Sequence, residues 1–453
     1  MIFADALPKI KTFLRPARLA ASTAALLVRF MTACISHVGA LSGSAAAEAI
    51  RSEARHRAQL TRFLARRRWS KDWAVLNAVA GLLQQQQART DGTWIFVLDQ
   101  THVGHQGHQT DNTFSRGNST KRPKRGNRKQ KKYARRSCHC FVHGLLITPS
   151  GLRIPSCRGY YTEDYCKAKK KPYKKQPELA AELIGAVAVP AGARVVVLGD
   201  TAFEAKAIRV ACAARDFRWV VPINPERRLA GPKPRAKGKS LEENLSAEHF
   251  EAVRLVPGQG AYTTQERAAL CRQGRKAKVR TYWVHAERRA VHNVGDVVLV
   301  FSTKEQPQAG HPVRVQKVLM SDDVGLSATA VVTLYALRWQ IELFFKELKS
   351  TLGFAHYRLR RFEAVEGWAQ ACLVTFCYLE WLRALHLAKP DRSEAQRRWW
   401  QSQRSYGLTR VVRQQAEDHD LARLLRWSGS KTGLRKLRHA LRQALPLEYR
   451  QPA

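Results

Sequence analysis

Two short apolar runs constrain this chain more than any other feature. Trp94-Ile95-Phe96-Val97-Leu98 stops at Asp99, and Arg194-Val195-Val196-Val197-Leu198 stops at Gly199-Asp200. Runs this brief and this continuous fit strands buried on both faces. Cys138 to Thr148 and Leu152 to Tyr161 read as two more strands, joined through the turn signal Pro149-Ser150-Gly151. Pro177 to Ala188 reads as a helix with Pro177 in its first turn, Phe203 to Arg215 as another, and Phe217 to Ile223 as a strand. The order of three strands, helix, strand, helix, strand predicts an α/β domain with a mixed sheet. A carboxylate at the end of a buried strand is held rigidly at an open sheet edge, as a metal site requires. Either aspartate alone reads equally as a strand-ending turn residue.

The rest of the chain divides around this unit. Residues 1–90 read as helical, with Ala45 to Arg66 one helix and Ser70 capping another from Trp73 to about Gln86. Two readings stand for this region, a module that binds DNA ends and a packed helical collar with no DNA contact. Leu19 to Val28 reads as an amphipathic helix rather than a signal peptide. No apolar run approaches the roughly 20 residues that span a bilayer. Residues 91–223 hold the first part of the α/β domain. Residues 224–326 read as a β-rich insertion with a basic loop at Pro232 to Lys239 and strands at Val279 to His285, Asp296 to Thr303 and Val313 to Ser321. Residues 327–390 carry two long helices. The first runs from its N-cap Ser327 to Leu352 with Gly353 as its left-handed stop, and the second from Gly367 to about Leu387. Residues 391–453 read as a helical, basic tail.

Charge indicates the partner. The chain holds 78 Lys and Arg against 36 Asp and Glu, a net +42, which favours a polyanion and nucleic acid first. Lys121 to Arg136 carries ten basic residues in sixteen, and Lys167 to Lys175 carries six lysines in nine. Both runs read as loops that contact phosphate, with Lys124, Arg125, Arg128 and Lys131 as candidate contacts. The nine cysteines are too scattered for a disulfide framework and read as reduced thiols. His102, His105 and His108 read as a flexible loop beside Asp99, and Cys138, Cys140 and His143 as strand residues rather than zinc ligands. Asp322-Asp323 reads as a turn, and Trp399 and Trp400 as packing residues.

The helix after Ser327 supplies the third carboxylate. At about 100° per residue, Tyr335, Arg338, Glu342 and Lys349 share one stripe about 60° wide, at the border of the apolar face made by Leu334, Leu337, Ile341, Phe344 and Leu348. Glu347 falls near 180° from Arg338 on the same wheel and is expected to face solvent. Spacing alone also allows Arg338 and Glu342 to be an ordinary i,i+4 ion pair. These four residues, within Leu334-Tyr335-Ala336-Leu337-Arg338-Trp339-Gln340-Ile341-Glu342, match the tyrosine–arginine–glutamate–lysine signature of bacterial insertion-sequence DDE transposases. Gly199-Asp200-Thr201-Ala202-Phe203 is similar to that family's second-aspartate motif, and the order of elements is similar from Trp94 to Leu387.

The resemblance implies a ribonuclease H-like catalytic fold with a β-rich insertion, flanked by helical ends. It implies that Asp99, Asp200 and Glu342 hold two Mg²⁺ ions, about 3.5–4 Å apart, with Mn²⁺ able to substitute. It implies that Arg338 and Lys349 grip phosphates and that Tyr335 positions the transferred strand. The activity implied is cut-and-paste DNA transposition, with metal-dependent cleavage at element ends followed by strand transfer into target DNA. A cytoplasmic, nucleoid-associated homodimer acting in a synaptic complex is the expected working form. The competing readings are a non-catalytic DNA-binding protein and a nuclease without strand transfer.

Overall fold

The computed structural model describes residues 6–36, 54–65, 67–86, 92–105, 110–116, 136–223, 245–255, 269–270, 272–274, 278–311, 313–387, 428–432 and 434–435. The expectations for Lys121 to Arg135, Pro232 to Lys239 and Trp399-Trp400 lie outside them, including those for Lys124, Arg125, Arg128 and Lys131. Two compact units form. One is continuous, Ala80–Phe345, and the other joins both chain ends, Met1–Val79 with Lys346–Ala453.

The continuous unit is built on one ten-stranded mixed sheet. Strand β1 (Thr93–His105) lies third along it, with β3 (Arg136–Ile147) and, beyond that, β2 (Phe114–Arg116) and β4 (Arg153–Tyr160) to one side. β3 runs antiparallel to both β1 and β4, and Thr148, Gly151 and Leu152 close the expected hairpin with Gly151 at φ +80°. On the other side of β1, β5 (Arg194–Leu198) and β6 (Arg218–Pro222) run parallel to it. The helices between these strands are α6 (Glu163–Lys169), α7 (Gln176–Ala186) and α8 (Lys206–Ala213).

Beyond β6 the sheet does not stop. The strands expected as an insertion, together with an unforeseen β7 (Glu251–Leu255), continue edge to edge as β8 (Arg280–Val291), β9 (Gly295–Thr303) and β10 (Lys317–Ser321), with β10 paired antiparallel to β6. The inner faces of these strands are apolar, so adding them to the existing edge also covers that edge.

Register fixes the two faces. His143 stands opposite Asp99 and therefore shares its face, while Gly144 stands opposite Leu98 on the other. The ring of Phe96 fills the space over Gly144, where a Cβ would come within 2.2 Å of it. Helices α9 (Ala328–Ala336) and α10 (Trp339–Ser350) cover the Asp99 face, where Phe344 and Phe345 of α10 meet the ring of His143 edge-on. Helix α7 covers the opposite face, with Gln176 beside Cys140.

Several local expectations change. Lys167 to Lys175 is not wholly loop, because Thr162 caps α6 through the Tyr165 amide and carries the chain in helix to Lys169. His102 and His105 lie in β1 rather than a loop, since β3 pairs with β1 as far as His105, while His108 lies outside the described residues. Glu347 is buried, not solvent-facing. It lies past the boundary at Lys346, in the helical unit, where Trp368 and Cys372 of α11 (Phe362–Leu387) donate to the Gly353 and Leu352 carbonyls just after α10.

The other unit is helical. It contains α1 (Ala6–Leu14), α2 (Ala21–Ser36), α3 (Ala54–Ala65), α4 (Arg67–Ser70), the start of α5 (Ala74–Gln85) and the apolar α11. Ser70 does not cap α5 with its side chain, because Lys71–Trp73 intervenes as a short turn with Asp72 at φ +52°. The cap comes from α11, where buried Gln370 accepts from the Leu76 amide at 3.0 Å and donates to the Ser70 carbonyl at 3.0 Å. No helix among the described residues is long and apolar enough to cross a membrane. Gln370→Ala would leave two buried backbone groups unpaired. It is expected to cost about 2–4 kcal/mol of stability, read from urea unfolding, with no change in the Ala80–Phe345 sheet.

Candidate active site

Both aspartates arise from the central parallel pair. β1 and β5 are matched through Val97 and Leu198, and one register continued by two residues sets Asp99 beside Asp200. Asp99 does not end its strand as expected. The parallel neighbour ends while β3 stays paired with β1, which leaves Asp99 inside a strand at the point where one flank opens. Asp200 follows β5 as expected and caps the short helical turn Thr201–Phe203, accepting from the Ala202 amide at 2.9 Å. Gly199 packs against Phe203, so a side chain there would push this turn away from the strand.

The glutamate comes from the helix above. Ser327 caps α9 as expected, accepting from the Ala330 amide. The helix is not continuous, however. Leu337 and Arg338 form a tightened turn between α9 and α10, with amides bonded three residues back, Leu337 to Leu334, Arg338 to Tyr335, Gln340 to Leu337 and Ile341 to Arg338. Such a turn rotates each residue farther than an α-helix does and re-aims the side chains at the break. Arg338 sits at that point.

Its guanidinium spans the site. One nitrogen donates to Glu342 Oε1 at 2.8 Å, and the other to Asp99 Oδ2 at 3.2 Å, from 239 residues away in sequence. The i,i+4 pair weighed from spacing is thus half of a two-carboxylate bridge. The three side chains are largely enclosed, with relative exposures of 14% for Asp99, 19% for Arg338 and 29% for Glu342. Burial pushes the Asp99 carboxyl up to about 6, Arg338 pulls it back, and the charges of Asp200 and Glu342 push it up again. Tyr335 stands beside Arg338 with its phenol raised to about 12, mainly by burial.

The donor set suits a hard divalent cation, since three carboxylates offer oxygen ligands and mutual repulsion that a cation would relieve. Among the described residues no three acidic, histidine or cysteine side chains already surround a common point. Asp99 and Glu342 are turned to Arg338 instead. A cleft of about 290 Å³ opens beside this pair, bordered by Tyr282, Lys304, Lys317, Tyr335, Trp339 and Glu342.

The other candidates separate from this centre. Lys349 lies on α10 beyond Phe345, in the helical unit. Asp322 is a turn residue as expected, accepting from the Trp219 amide at 2.8 Å, and Asp323 pairs with Arg194. Cys138, Cys140 and His143 are buried strand residues, and His143 Nε2 lies 3.7 Å from the Cys157 sulfur. Lys317 was not foreseen. It heads a strand paired to β9 nearby and to β6 far away in sequence, and no local signal distinguishes it from a surface lysine.

Removing Arg338 should expose the repulsion it offsets. In the fold Asp99 is protonated below about pH 6, so the charge that Arg338 offsets is absent below that pH and present above it. Arg338→Gln is therefore expected to cost about 1.5–3 kcal/mol more stability at pH 8 than at pH 5, by urea unfolding at each pH. An equal loss at both would mean that Arg338 does not offset the Asp99 charge.

The family model described as Transposase DDE domain matches residues 90–379 of the chain. A comparison with curated proteins finds no match.

Proposed function

This chain belongs to the DDE-domain transposase family, and we propose that it cuts DNA at the ends of its element and joins them to target DNA, using Asp99, Asp200 and Glu342. The family makes it a transposase, an enzyme of DNA transposition that binds DNA. One observation carries the finer reading. Carboxylates from β1 and α10 converge on one guanidinium, with Asp200 set beside Asp99 by strand register. Strand order β4-β3-β1-β5-β6, three antiparallel then two parallel, supports a ribonuclease H-like catalytic fold. The Tyr335, Arg338, Glu342 and Lys349 spacing supports a bacterial insertion-sequence origin.

In this reading Asp99, Asp200 and Glu342 hold two Mg²⁺ ions. Bound there, the ions supply activation of the attacking oxygen and charge stabilisation of the leaving one in an in-line displacement. The protein supplies position. Asp99 is rigid because β3 continues past it, and Gln100 donates its amide to Asp99 Oδ1 at 2.7 Å. The Arg338 fork suits a phosphate as it suits carboxylates, and its place between Asp99 and Glu342 suits it to grip one at the cut. Tyr335 positions the strand beside it, and Lys349 binds phosphate farther along. The net charge of +42 supports an extended DNA footprint, to which Lys124, Arg125, Arg128 and Lys131 are assigned. Pairing two element ends calls for two copies of the chain, so the working form is a homodimer.

The test uses a plasmid carrying the genomic segment around this reading frame, incubated with protein in Mg²⁺ or EDTA. Breaks at the element ends are expected only with Mg²⁺, falling roughly 10³- to 10⁴-fold in Glu342→Gln. Breaks without joining would leave a nuclease, and salt-sensitive binding with no breaks would leave a DNA-binding protein. Proton release gives an independent check. Below about pH 6 the Asp99 carboxyl holds its proton, so Mn²⁺ binding must expel it, whereas well above that pH there is none to expel. Calorimetry in buffers of different ionisation enthalpy is expected to show release at about pH 5.5 that falls away towards about pH 8.

A further inference from the structure

We propose that Lys317 is a substrate-positioning residue that binds a DNA phosphate in the cleft beside Glu342. The inference deepens the transposase reading and rests on it.

Lys317 opens β10 and shares a face with Leu319, and both border the cleft beneath α9 and α10. Its ammonium lies over the Tyr335 ring, 4.9 Å from the centroid. Tyr335 in turn stands beside the guanidinium that bridges Asp99 and Glu342. A continuous line therefore runs from the carboxylates through Arg338 and Tyr335 to Lys317. The Lys317 carbonyl accepts from the Ser302 hydroxyl, but among the described residues its ammonium makes no hydrogen bond or ion pair, so its three N–H donors are uncommitted within them. It remains reachable from the cleft.

The surroundings favour an anion. Lys304 borders the same cleft, so two lysines gather there, while the Arg338 charge is shared between Asp99 and Glu342. The cleft walls strip water from the ammonium and the two neighbouring cations repel it, which lowers the pKa of Lys317. A lysine serving only to pack would gain nothing from this crowding of like charge, whereas a phosphate would relieve it. The aromatic platform holds the ammonium in place without consuming its donors.

The experiment compares wild type with Lys317→Met and Lys317→Arg, on a duplex taken from the element end. Met keeps the stem on Tyr335 but removes the charge, and Arg keeps the charge. Binding is measured by fluorescence anisotropy across a salt series, and strand cleavage in Mg²⁺ at saturating DNA. One lost phosphate contact is expected to flatten the slope of log affinity on log salt by about 0.9 in Lys317→Met, with Lys317→Arg close to wild type. Cleavage in Lys317→Met is expected to fall up to about 100-fold, with an unchanged melting temperature. An unchanged slope and rate in Lys317→Met would overturn the proposal. So would a Lys317→Arg as impaired as Lys317→Met with both melting early, since that is packing alone. Failure of the transposase reading looks different, because wild type itself would then leave the duplex uncut. The slope difference would still decide whether Lys317 touches phosphate.

Discussion

Carboxylates gathered on one side of a sheet repel one another, and the site depends on how that repulsion is met. Arg338 meets part of it. Its guanidinium ties β1 to α10 through two charge-assisted bonds, and both bonds lie largely out of solvent, where they are screened little. The arrangement still leaves Asp99 with a carboxyl shifted well above its ordinary range. Burial is the largest cause of that shift and the charges of Asp200 and Glu342 add to it, and a cation bound there would relieve both.

The supporting structure follows from keeping these groups in place. Asp99 is inside a strand rather than at its end, so its backbone is fixed on the β3 side while the β5 side opens. Gly199 lets the turn after β5 fold tightly against Phe203, and that turn holds Asp200. The tightened turn at Leu337-Arg338 directs the guanidinium across to β1. The strands from β7 to β10 build the cleft wall and bring Lys304 and Lys317 to it.

Much of this was legible in the sequence. The apolar runs before Asp99 and Asp200, the hairpin at Pro149 to Gly151 and the Ser327 cap are local patterns, and local patterns survive folding. What escaped depends on partners distant in the chain. The extent of β1 past Asp99 is set by β3, so His102 and His105 gave no sign of being strand. A helical wheel assumes one buried face and one unbroken helix, and it misjudged Glu347 and missed the break at Arg338 for that reason. Lys317 reaches the site only because β10 joins a sheet edge nearly a hundred residues upstream of it, a pairing that no short window reveals.

Gln370 carries a further implication, for the order in which the chain can fold during synthesis. The amide it caps belongs to Leu76, 294 residues earlier. The first helices therefore leave the ribosome long before the group that completes them exists. The continuous stretch Ala80–Phe345 has no such debt, since its strands pair among themselves. The sheet can form while the N-terminal helices wait, and the helical unit closes last, when α11 emerges and delivers Gln370 to the start of α5.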